Sequence, residues 1–73
     1  MQAQQLQALI QAKLADCEVT VDGEGSSFNI TVVGEVFRGM SPVKKQQLVY
    51  GCFDEYLKSG EIHAVTMQTR TPE

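Results

Sequence analysis

The residues able to do chemistry are few, and His63, the chain's only histidine, leads them from within Gly60-Glu61-Ile62-His63-Ala64-Val65. Imidazole titrates near neutrality and is the commonest nitrogen ligand of transition metals, so His63 is a candidate proton carrier or metal ligand. Neither chemistry is complete with one residue. A lone histidine on a strand is more often a surface or partly buried side chain than a ligand, and no acid stands in a defined relation to a serine or cysteine nucleophile. The glycines of Gly23-Glu24-Gly25 precede a strand and not a helix, which separates them from phosphate loops and dinucleotide fingerprints. These exclusions favour a protein that is not an enzyme.

A second group is cationic: Arg38, Lys44 and Lys45 lie in Phe37-Arg38-Gly39-Met40-Ser41-Pro42-Val43-Lys44-Lys45-Gln46-Gln47. Positive charge around a tight turn that opens a helix suits a phosphate backbone, which makes nucleic acid the alternative partner. Against it stand six basic residues facing nine acidic ones, a net charge of −3, and no stacking aromatics around the lysines. Cys17 and Cys52 form no zinc-like spacing and read as small core residues. With no secretory signal in the sequence, they fit a reducing cytoplasm. No apolar run approaches the roughly 20 residues that a membrane helix needs.

The elements that must position these residues follow from periodicity. Residues 2–15 are rich in Gln, Ala and Leu, and Leu6, Leu9, Ile10 and Leu14 share one helical stripe. Gln5, Gln7, Gln11 and Lys13 are assigned to its solvated side. From Cys17 the period becomes two, with Cys17, Val19 and Val21 inward. Residues 22–27 then form a loop, and Phe28, Ile30 and Val32 mark a second strand that pairs antiparallel with the first.

Val36 and Phe37 are expected to anchor the return to the core. Ser41-Pro42 opens a helix with a capping hydroxyl and a proline at its first position. Val49, Cys52, Phe53, Tyr56 and Leu57 give that helix one wide apolar face. Gly51 lies inside the pattern and predicts a close packing contact. Lys58-Ser59-Gly60 stops the helix. Residues 62–69 form the last strand, with His63, Val65 and Met67 on one side and Ile62, Ala64 and Thr66 on the other. A right-handed crossover places it parallel to the second strand. The prediction is one α+β domain over residues 1–73, in the order α-β-β-α-β, with helices on one face of a three-stranded mixed sheet.

Four segments in this order resemble the BolA-like proteins, in particular the short bacterial IbaG-type branch. They are Asp22-Gly23-Glu24-Gly25-Ser26-Ser27-Phe28, Val33-Gly34-Glu35-Val36-Phe37-Arg38-Gly39-Met40-Ser41, Val43-Lys44-Lys45-Gln46-Gln47-Leu48-Val49-Tyr50-Gly51 and Ile62-His63-Ala64-Val65. The resemblance implies a fold similar to a class II KH domain. It also implies a partnership with a monothiol glutaredoxin, a 2Fe-2S cluster bridging the pair, and His63 as the ligand from this side. As a single protein the chain is then expected to carry no cofactor and to be a monomer or weak homodimer. Some relatives act as stress or transcriptional regulators, which matches the nucleic-acid alternative through Arg38, Lys44 and Lys45. The chain departs from the pattern at one position. Relatives offer a histidine or cysteine in the hairpin loop where this sequence has Ser27, and a hydroxyl is a poor ligand for a soft iron-sulfur centre.

Overall fold

The change of period after the first helix is reproduced in the computed structural model, which describes residues 2–72. Helix α1 spans Ala3–Lys13, and strands β1 and β2 span Glu18–Glu24 and Ser27–Val33. After a short 3-10 turn, Glu35–Phe37, come helices α2, Pro42–Tyr50, and α3, Asp54–Ser59, and then strand β3, Ala64–Arg70. The sheet order is β1-β2-β3, with β1 antiparallel to β2 and β3 parallel to it. This is the predicted α+β mixed sheet.

Alternation explains which face the helices cover. Val19, Val21, Phe28, Ile30 and Val32 are buried, whereas Thr20, Asp22, Asn29, Thr66 and Gln68 are exposed. The inward strand residues form one core with Leu6, Ile10, Phe37, Val49, Cys52, Phe53 and Ile62. Phe37 and Phe53 are among its largest fully buried side chains. Truncating a buried phenylalanine to alanine costs about 3–5 kcal/mol, a large part of the stability of so small a domain.

Ser41 caps α2 as expected, its Oγ accepting from the Lys44 amide at 3.3 Å. Gly60 ends α3 with φ of 85°, a conformation that side-chain-bearing residues rarely adopt.

The predicted single helix over 41–59 is two. A turn at residues 51–53 separates α2 from α3 and lets Val49, Cys52 and Phe53 all reach the core from a bent backbone. Gly51 is not at a close contact. A Cβ there would meet only Gln47 and Leu48 carbonyl oxygens of its own helix, at 3.4 and 3.6 Å. Val36 is 44% exposed, so Phe37 alone anchors the return. The loop predicted at residues 22–27 is shorter, because β1 and β2 pair as far as Glu24 with Ser27, leaving Gly25-Ser26 as a two-residue turn. Gly25 has φ of 69°, as a tight hairpin turn needs.

Gln11 also differs from its assignment to solvated surface. Its Nε2 donates to the Cys17 carbonyl at 2.7 Å and to that of Leu14 at 3.2 Å, clipping the end of α1 to the start of β1.

Candidate functional site

Ile62 and Ser26 together set the position of His63. The Ile62 side chain is buried, and its amide donates to the Tyr56 carbonyl at 3.2 Å. The next two amides, His63 and Ala64, both donate to the Ser26 carbonyl, at 2.9 and 3.1 Å. Two successive donors on one acceptor break the strict alternation, as a bulge does. The strand therefore starts at Ala64 and not at Ile62. Ile62 and Val65 both turn toward the core, and His63 is exposed at the threshold of β3. The predicted grouping of His63 with Val65 and Met67 is thus corrected by this doubled contact.

Two segments flank His63. The hairpin turn lies beside it through Ser26, and Ser27 pairs with Ala64 in the parallel register. Gly60 lies on the other side, where an added Cβ would stand 3.9 Å from His63 Cε1. The structure therefore brings His63 beside the hairpin turn that carries Ser26 and Ser27. Among the described residues no group of three or more His, Cys, Asp or Glu is placed to hold a metal ion. An exposed imidazole can offer one nitrogen to a centre whose other ligands come from elsewhere.

A concavity of about 610 Å³ lies at the opposite end of the sheet, lined by Asp16, Cys17, Gly34, Glu35 and Pro72. Gly34 is required there, because a Cβ would collide with Cys17 Sγ. Both cysteines are free and buried, Cys17 just before β1 and Cys52 in the turn between α2 and α3. Burial pushes both thiols above the usual cysteine range. Asp16 adds to the effect at Cys17, while Lys13 opposes it at Cys52. Such thiols are poor nucleophiles and poor ligands at neutral pH.

The cationic group is less available than its sequence suggests. Arg38 forms a forked pair with Glu35, Nε to Oε2 at 2.7 Å and Nη2 to Oε1 at 3.0 Å. The hydrogen bond from Arg38, more than its charge, holds the Glu35 carboxyl below the usual carboxylate range. Lys44 is exposed on the first turn of α2, and Lys45 is half-buried.

Comparison with known proteins agrees with the fold. The family model described as BolA-like protein matches residues 3–73. The chain is 46% identical over 72 residues to the acid stress protein IbaG of Escherichia coli, covering 99% of this chain and 86% of that one. Among solved structures it is similar to a BolA homologue from Coxiella burnetii, with a TM-score of 0.84 and 26% identity over 99% of this chain and 92% of that one. It is also similar to the BolA domain of SufE1 from Arabidopsis thaliana, with a TM-score of 0.81 and 29% identity over 96% and 91%.

Proposed function

Because the chain belongs to the BolA-like protein family, we propose that it is a non-enzymatic adaptor that docks on a monothiol glutaredoxin and contributes His63 to a bridging 2Fe-2S cluster. The observation that carries this reading is the exposed imidazole held at the sheet end between the hairpin turn and the end of α3. The donor set fits a single contribution. His63 supplies one nitrogen, Ser26 and Ser27 supply no thiolate, and the remaining ligands are the partner's to provide.

The chain's own part is positional. Buried Ile62 fixes the backbone from one side, and the Ser26 carbonyl fixes it from the other, so the residue that carries the imidazole has a set position at the sheet end. When bound, the cluster supplies one-electron redox chemistry, and a neutral imidazole in place of a thiolate tends to raise its potential. The likeness to a BolA domain within SufE1 supports an adaptor reading, since there the same fold is one unit of a protein with another name. The name of the Escherichia coli relative supports a role in acid stress. A cytoplasmic site of action is part of the same proposal.

The test is to mix the chain with a cluster-loaded monothiol glutaredoxin and follow complex formation together with visible absorption and circular dichroism. The reading requires a complex whose spectrum differs from that of the glutaredoxin alone, and His63→Ala must remove that difference. It fails if no complex forms and the substitution changes nothing. The rival nucleic-acid reading through Arg38, Lys44 and Lys45 requires binding that weakens with salt and is lost in Lys44→Glu/Lys45→Glu. Glu35 on the Arg38 guanidinium and the net charge of −3 weigh against it.

A further inference from the structure

Between the last turn of α3 and the start of β3 the chain forms no regular element, yet the five consecutive amides of residues 60–64 each have an acceptor. Gly60 donates to the Leu57 carbonyl at 3.3 Å, Glu61 to Ser59 Oγ at 3.4 Å and Ile62 to the Tyr56 carbonyl at 3.2 Å, before His63 and Ala64 share the Ser26 carbonyl. Four of these bonds end on backbone carbonyls, which any sequence supplies. The fifth ends on a side chain, so Ser59 is where residue type enters the path to His63. Its hydroxyl also donates, at 3.2 Å, to the same Tyr56 carbonyl that holds Ile62. Serine competes with its own helix through such local bonds, which suits it to the point where α3 gives way to left-handed Gly60.

We propose that Ser59 is a positioning residue for His63, its hydroxyl bridging the Tyr56 carbonyl and the Glu61 amide so that the chain leaves α3 on the path that lays His63 against Ser26. The proposal deepens the reading of His63 as a cluster ligand and rests on it. Ile62 transmits the effect. Its side chain is buried and its amide hangs on the Tyr56 carbonyl, just after Glu61 and just before His63. Without the hydroxyl the Glu61 amide is left to solvent, and the turn gains freedom on the side of His63 that the Ser26 carbonyl does not hold. A role confined to α3 has another signature. Alanine is the better helix former and Ser59 is exposed, so for α3 alone Ser59→Ala is neutral or favourable.

Amide hydrogen exchange of the full chain, followed by NMR, is the first measurement. In Ser59→Ala the Ile62 and His63 amides should exchange roughly fivefold faster, while amides within β1 and β2 keep their rates and so show that the fold is intact. Ser59→Thr keeps the hydroxyl and should keep the rates. The second measurement titrates a cluster-loaded monothiol glutaredoxin with each variant. A smaller competent fraction weakens apparent affinity in proportion, so Ser59→Ala should need roughly threefold more chain than Ser59→Thr for the same change in visible circular dichroism. Unchanged exchange at Ile62 and His63 in Ser59→Ala overturns the proposal. So does faster exchange that leaves the titration unmoved, or that Ser59→Thr shares. If the unaltered chain brings no spectral change, the adaptor reading falls, and the exchange rates, which need neither iron nor glutaredoxin, still decide whether Ser59 positions His63.

Discussion

At the scale of single residues, the chemistry of this chain rests on which side chains are buried and which are not. His63 is exposed and its side chain supports no core contact, so His63→Ala should change unfolding free energy by no more than about 0.5 kcal/mol while removing the spectral change that the chain brings to a cluster-loaded glutaredoxin. A urea titration checks the first half and visible circular dichroism the second. Gly34 is the opposite case. Its backbone is ordinary extended chain, φ −169°, so only the space taken by Cys17 demands a glycine. Gly34→Ala should destabilise by about 1–3 kcal/mol, as overpacking does, and the penalty should shrink in a Cys17→Ala background. Urea midpoints of the four variants of that cycle measure the coupling. The sequence marked Cys17 as core from alternation alone, but its contact with Gly34 joins distant positions and left no local signal.

At the scale of elements, the helical segment after Ser41 shows how far periodicity carries. Apolar residues at intervals of three and four place Val49, Cys52 and Phe53 inward, and this holds through the break between α2 and α3. The break itself is not visible in that spacing, because two short helices with a turn between them can keep the same inward set. Gly51 carries the clearest consequence. It has right-handed helical angles, φ −60° and ψ −20°, is exposed, and would meet only carbonyls of its own helix at ordinary contact distance. Gly51→Ala should therefore stabilise the protein by about 0.4–1 kcal/mol, by reducing the freedom of the unfolded chain. A thermal melt reads the sign. The close packing contact inferred from sequence would require the opposite sign. The start of β3 was misplaced for a related reason: alternation treats residues 62–69 as one phase, whereas the shared Ser26 carbonyl resets it after Ile62.

At the scale of the whole molecule, the two buried thiols couple stability to alkaline pH. Their folded pKa values are raised, so the fold favours the neutral form, and this stabilisation is complete below the unfolded value of about 8.5. It is lost as pH rises through the higher folded values. Melting temperature should fall from about pH 8.5 upward, and less steeply in Cys17→Ala/Cys52→Ala than in the unaltered chain.

The sequence by itself determined the first helix, the three strands and their mixed sheet, the capped start of α2 and most of the core. Each of these is written in local periodicity or in residue types with one strong conformational preference. It also singled out His63, through the pattern around it and not through spacing. Only the tertiary structure decided that the imidazole is exposed beside the hairpin turn and that β3 is left as an edge. Those outcomes depend on contacts between elements, where one carbonyl competes with the rule of alternation, and no local pattern records which contact wins.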